Sequence, residues 1–368
     1  MKEIRTPIHL TQTAENIEQI LGVSLDEIMF FDIETTGLSA STSSLYLIGS
    51  IYFENGTPIL HQWFADDAKS EEAILHAFFT LLKNYRTLLH FNGTTFDIPY
   101  ILQKVQKYNL SYNFDALTSI DLYQKARYLK KHYKMPSLKQ KAIEALFGID
   151  REDLYSGKEL IQFYADYRHN LIRGNLEDAK EQERLLLLHN HDDLIGLADL
   201  SIVYYLPNLT GEHIRISAVT LNESHTLLSI AFELTPAWPI PLKSCALTLL
   251  PSQNGEKSDG CVIIPVINDT IKYFYENYKD YYYLPKEDTA IHKSVGQFVD
   301  KEFRKKANAS NCYTKKEGLF IKQYLPYLEP KFSYERNDSE VYLEVTDAFL
   351  KDYAFVKQYV LHLLRTII

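Results

Sequence analysis

Short apolar runs, bounded by turn-forming residues, organise the first part of the chain. Residues 28–35 (IMFFDIET), 45–55 (LYLIGSIYFEN) and 58–66 (PILHQWFAD) read as three strands. The junction Asn55-Gly56-Thr57-Pro58 is a hairpin turn signal between the last two. The spacing then changes. SEEAILHAFFTLLKNY (70–85) carries apolar residues at helical intervals, with Ser70 in the N-cap position. TLLHFNG (87–93) is a fourth short strand, and TFDIPYILQKVQKY (95–108) opens another helix. From 136 to 207 the pattern is almost wholly helical. PSLKQKAIEALFG (136–148) has Pro136 near its start and Gly148 near its end, and residues 176–206 form one long apolar helix. Strands and helices in this order predict an α/β domain on a mixed sheet.

Pro207, Asn208, Thr210 and Gly211 break the chain, and the texture becomes β-rich in IRISAVTLNESHTLLSIAFEL (214–234), CALTLLP (245–251) and GCVIIPVI (260–267). Helices are expected again at AIHKSVGQFVDKEFRKKA (290–307) and VTDAFLKDYAFVKQYVLHLLRTI (345–367). The expected organisation is an N-terminal extension (1–24), an α/β domain (25–208) and an α+β accessory domain (209–368), β-rich and ending in helices. The sequence shows no internal repeat and no low-complexity segment.

Composition narrows the class. A chain of 368 residues, 46% hydrophobic and 24% charged, is globular and long enough for two domains. Cys245, Cys261 and Cys312 are few, scattered and odd in number, with no CxxC pair. They suggest neither a disulfide framework nor a thiolate zinc site. The N-terminal segment lacks the apolar stretch of a signal peptide, and no run is long enough to span a membrane. The expectation is a cytoplasmic protein. A net charge of −9 argues against a nucleic-acid coat protein, but not against a metal-dependent nuclease, whose ligand carboxylates count here while its metals do not.

Three acidic patches in the first half carry the chemistry. Asp32 and Glu34 alternate on the first strand and so project from the same face. Like charges side by side on a half-buried sheet are costly unless that face is solvent or the pair holds a cation. Asp97 follows the fourth strand, where it could equally be a first-turn acid of the next helix. Asp192 and Asp193 lie in LLLLHNHDDL on the long helix, where they could be a solvated face. Hard divalent ions prefer oxygen donors, and a two-ion phosphodiester site needs about four converging carboxylates.

FFDIETTGL, LLHFNGTTFDIPYI and HNHDDL, in this order and spacing, resemble the three motifs of the DEDD superfamily, the RNase H-like 3′→5′ exonucleases. MPSLKQKAIEALFGIDREDLYSG (135–157) resembles the segment before the third motif in a bacterial RNase H-like nuclease branch. The resemblance spans residues 25 to 206. It implies an RNase H-like mixed five-stranded sheet flanked by helices. It also implies two Mg²⁺ or Mn²⁺ ions held by Asp32, Glu34, Asp97 and Asp193, with Asp192 as the fallback fourth ligand. The third motif departs from the common forms, which place a tyrosine four residues before the last aspartate or a histidine five before it. Here His189 stands four before Asp193, on the same helix face. A histidine there suits a general base or a water-orienting group. Its alternative is a neutral helix histidine with no part in chemistry.

Residues 124–141 (QKARYLKKHYKMPSLKQK) carry seven basic residues and no acid. Lys130, Lys131, Lys134 and Lys139, with Tyr128 and Tyr133 available for stacking, are the candidate track for single-stranded DNA or RNA. A solvated basic face is the alternative. Asn92 and Gly93 are candidate contacts to the terminal nucleotide, although Asn-Gly is also a turn pair. Residues 292–316 carry seven Lys/Arg and two acids and follow a tyrosine-rich run. They are read either as a second substrate platform or as an amphipathic helix. The leading expectation is a metal-dependent 3′→5′ exonuclease. Its rivals are an inactive binding module on a nuclease fold and a structure-selective endonuclease.

Overall fold

The computed structural model describes residues 1–67, 69–253 and 255–368. The chain divides into two compact units, Met1–Asn208 and Leu209–Ile368. The strands of the first unit are β1 (Lys2–Pro7), β2 (Ile28–Thr35), β3 (Leu45–Glu54), β4 (Thr57–Phe64), β5 (Thr87–His90) and β6 (Thr118–Asp121). Among the described residues they form one sheet in the order β1-β4-β3-β2-β5-β6. Pairing is antiparallel from β1 to β2 and parallel from β2 through β5 to β6. The sheet therefore has six strands rather than the expected five. Residues 2–7, within the segment expected to be an extension, pair with β4 along its outer edge. Asn55 and Gly56 both adopt positive φ, as a two-residue hairpin loop between β3 and β4 requires.

The helices of this unit are α1 (Ala14–Leu21), α2 (Glu71–Leu82), α3 (Asp97–Lys107), α4 (Leu122–Lys125), α5 (Arg127–His132), α6 (Gln140–Phe147), α7 (Gly157–Arg173) and α8 (Leu176–Asp199). Helix α2 starts after Ser70 as expected, but Ser70 Oγ donates to Asp67 instead of capping the helix. Along β2, Met29, Phe31 and Ile33 are buried in the main core, where Phe31 packs against Phe78 of α2 at 5.7 Å between ring centroids. Fully burying a phenylalanine stabilises by about 1.5–3 kcal/mol. Those residues hold the strand while the intervening positions, Asp32 and Glu34, face α8.

Helix α8 approaches the sheet closely because β3 offers a glycine there. Gly49 is the register partner of Asp32. A Cβ at Gly49 would stand 2.0 Å from Asn190 Oδ1 and 2.5 Å from Leu194 Cδ1, both on α8.

The second unit is described by itself. Its strands are β7 (Ile214–Leu221), β8 (Leu227–Leu234), β9 (Leu242–Lys243), β10 (Leu247–Pro251), β11 (Ser258–Phe274), β12 (Tyr281–Leu284), β13 (Thr289–His292), β14 (Lys305–Lys306), β15 (Tyr313–Gln323) and β16 (Val341–Glu344). Among the described residues, seven of them form an antiparallel sheet around the long β11, and β13-β12-β14 form a smaller one. The C-terminal helices are present, at Asp347–Lys351 and Tyr353–Ile367. The helix expected over 290–307 is not formed. That segment gives β13, a single turn at Lys293–Gly296, a short 3₁₀ turn and β14. Tyr281, Tyr282 and Tyr283 of β12 recruit its backbone into sheet pairing, and Val295 and Phe298 are left exposed rather than forming a buried helix face. Among the described residues, no helix is long and apolar enough to cross a membrane.

Candidate active site

Asp32 and Glu34 leave β2 on the side covered by α8. Asp97 is the first residue of α3, and His189 and Asp193 lie one turn apart on α8. The tertiary structure brings these five into one largely buried cluster. One oxygen each from Glu34 and Asp193 and one nitrogen of His189 all lie within 4.8 Å of one another. His189 Nε2 is 3.1 Å from Asp193 Oδ2 and 3.6 Å from Glu34 Oε1.

The electrostatics divide the carboxylates into two kinds. Burial, and then the Glu34 charge, push the Asp32 carboxyl well above its ordinary value. Burial, and then Asp193, do the same to Glu34. Burial raises Asp97 to about 7, against the opposing hydrogen bonds from the backbone of Asp97 and Ile33. Burial also pushes Asp193 upward, but His189 and Arg151 outweigh it and hold that carboxyl below the usual range. Asp193 thus keeps its charge against two local cations, while the other three resist ionising together. A concentrated set of oxygen donors that repel one another is the donor chemistry a hard divalent cation relieves. The residues present fit such an ion.

Several further residues build this site, and the sequence patterns did not single them out. Asn190 Nδ2 donates to Asp32 Oδ2 at 3.0 Å, and Gln62 Nε2 of β4 donates to Asn190 Oδ1 at 2.9 Å. Arg151, in the loop after α6, bonds Asp193 and both oxygens of Glu144. Glu144 lies under α8 at Gly196, where a Cβ would stand 1.9 Å from Glu144 Oε1. Asp153 Oδ2 accepts from His189 Nδ1 at 2.6 Å. The SLK-like helix therefore carries the base of an ionic network under the third motif. The position of Asn190, three residues before Asp193, was a signal within the motif itself. For Arg151 and Asp153 the local sequence carried none.

Asp192 points elsewhere. Its Oδ2 accepts from the backbone N–H of Glu152 and Asp153 at 2.8 and 2.7 Å, tying that loop to α8. Asn92 adopts a left-handed φ of 63°. Its backbone N–H donates to Asp121, and its Oδ1 accepts from Thr95 Oγ1. Gly93 N–H donates to His90 Nδ1 at 3.0 Å, and a Cβ there would lie 2.7 Å from the His90 ring. The Asn-Gly pair thus builds the turn that delivers Asp97.

Lys130, Lys131, Lys134 and Lys139 are exposed around α5 and ahead of α6. Two members of the basic stretch are used differently from expectation. Tyr128 is buried, so its ring packs inside the fold and is closed to stacking with a base. Lys141 pairs with Asp153 at 2.9 Å and donates to the Tyr155 carbonyl at 2.7 Å.

Residues 29–205 match the family model RNase_H_2, described as RNase H superfamily, and the mixed sheet flanked by helices is an RNase H-like α/β fold. No curated protein matches the chain significantly. Matching solved structures include the family B DNA polymerase from the hyperthermophilic archaeon Pyrobaculum calidifontis, at 10% identity and a TM-score of 0.37. The match covers 69% of this chain and 35% of that one, so it takes in about a third of the polymerase's length. So loose a likeness carries no functional argument. The family match together with the acidic cluster supports a nuclease.

Proposed function

We propose that the protein is a metal-dependent 3′→5′ exonuclease acting on single-stranded or frayed DNA or RNA. The observation that carries this reading is the convergence of Asp32, Glu34, Asp97 and Asp193 from β2, α3 and α8 in one largely buried cluster. These four would hold two Mg²⁺ or Mn²⁺ ions. When bound, such ions supply Lewis-acid stabilisation of the phosphodiester and activation of water. Asn190 orients Asp32, and Arg151 orients Asp193. The exposed Lys130, Lys131, Lys134 and Lys139 would neutralise phosphates of the incoming strand, with Tyr133 partly accessible beside them.

The experiment uses 3′- and 5′-labelled single-stranded DNA and RNA with Mn²⁺, Mg²⁺ or EDTA, beside an Asp32→Ala/Glu34→Ala control. Metal-dependent release of mononucleotides from the 3′ end, lost in the control, is expected. Cleavage of circular substrates would replace the exonuclease by an endonuclease. Binding without cleavage of any substrate would leave a binding module on a nuclease fold.

A further inference from the structure

We infer that His189 Nε2 is itself a metal ligand, sharing one ion with Glu34 and Asp193, and that Asp153 is the carboxylate that fixes its tautomer. This deepens the nuclease reading above and rests on it. His189 Nε2 does not point away from the carboxylates. Instead, Nε2 stands 3.1 Å from Asp193 Oδ2 and 3.6 Å from Glu34 Oε1, in the midst of the donor oxygens. Donors bound to one first-row divalent ion at about 2.0–2.2 Å stand roughly 3–4 Å from each other. Both separations from Nε2 fall in that range, and donor atoms of all three residues lie within 4.8 Å of one another.

The other side of the ring supplies the second, independent observation. His189 Nδ1 is 2.6 Å from Asp153 Oδ2. Asp153 is not a spare ligand: Lys141 Nζ also reaches Oδ2, and Oδ1 accepts from Tyr155 N–H at 3.0 Å. Its side chain is 1% exposed. With its bonding so occupied, Asp153 holds a proton on Nδ1, so a cation that displaces the proton Nε2 shares with Asp193 would meet the Nε2 lone pair beside Glu34 and Asp193. A carboxylate behind a histidine in this way is the usual support of a metal-ligating imidazole. Asp192 clamps the backbone of the same loop onto α8, so the orienting group is anchored to the helix that carries His189.

A nitrogen donor changes which ion the site prefers. Imidazole favours first-row transition ions over Mg²⁺, most strongly Fe²⁺, Ni²⁺ or Zn²⁺.

The test uses full-length protein, stripped of metal and loaded with one equivalent of Mn²⁺. Pulsed EPR reads the hyperfine coupling of a directly bound imidazole nitrogen, and calorimetry reads Mn²⁺ and Mg²⁺ affinities. The wild type should show the coupling and prefer Mn²⁺; His189→Gln should lose the coupling and bind Mn²⁺ more weakly. Asp153→Asn should keep the fold by circular dichroism and weaken Mn²⁺ binding about ten- to hundred-fold. Bound Mn²⁺ without nitrogen coupling in the wild type, with cleavage intact, would overturn this inference alone. That spectrum depends on no variant folding. Failure of the wild type to bind Mn²⁺ at all would overturn the metal site and the nuclease reading with it.

Discussion

Replacing Asp97 by asparagine should stabilise the metal-free protein at neutral and alkaline pH and weaken its response to divalent ions. Asp97 is 5% exposed at the start of α3. Burial moves its carboxyl from 3.8 to about 7, with Asp121 and Asp193 adding to the shift. The folded protein therefore holds this proton more tightly than the unfolded chain does. The stability this confers is fully present below the unfolded value and is lost as pH rises through about 7. A difference of about three units at roughly 1.4 kcal/mol each sets a ceiling of about 4 kcal/mol. Asp193 shares the repulsion, so about 2–4 kcal/mol is the expected effect. Asparagine keeps an acceptor oxygen for the Ile33 N–H while carrying no charge. Urea unfolding in EDTA at pH 4 and pH 8 measures the difference between wild type and variant. The two should be nearly equal at pH 4, with the variant more stable at pH 8. Mn²⁺ should restore the wild type and stabilise the variant by less, since Glu34, His189 and Asp193 remain. A difference that does not change with pH would refute the claim that a buried carboxylate is held there at electrostatic cost.

Gly49→Ala should destabilise by about 1–3 kcal/mol and depress cleavage, because the new Cβ collides with Asn190 and Leu194 and displaces α8 from β3; denaturant unfolding and single-turnover cleavage check both. Asp193→Asn should abolish cleavage with the fold intact. Asp192→Ala should instead cost about 1–3 kcal/mol of stability by leaving the Glu152 and Asp153 amides without their acceptor, so equal loss of cleavage in an equally folded Asp192→Ala would contradict the division of roles. Neutralising Lys130, Lys134 and Lys139 together should weaken single-strand binding without regard to sequence. It should also reduce the slope of log affinity against log salt by about 2, measured by filter binding, and an unchanged slope would remove these lysines from the track.

The sequence was most informative where chemistry and local pattern coincide. Alternation along β2 placed Asp32 and Glu34 on one face, and the i to i+4 step on α8 placed His189 beside Asp193. Both readings follow from backbone geometry that a local segment already contains. The early strands, the hairpin at Asn55-Gly56 and the long helix were legible for the same reason. The segment at 290–307 departs from the expected helix: its apolar spacing fits one, while strand pairing with the tyrosines of β12 is a non-local choice. The burial of Tyr128 has no local signal, because it depends on what packs over α5.

What the sequence determined by itself was the candidate donor set: which carboxylates alternate, which stand one helical turn apart, and where basic residues gather. What only the tertiary structure decided was how those donors are held and charged. Gly49 opposite Asp32 sets the depth of α8, Arg151 and Glu144 fix Asp193, Asp192 turns away to clamp a loop, and Asp153 claims one nitrogen of His189. None of these has a local signature, because each joins residues far apart in the chain. Their effect arises from low exposure and short distance, which exist only after the elements pack.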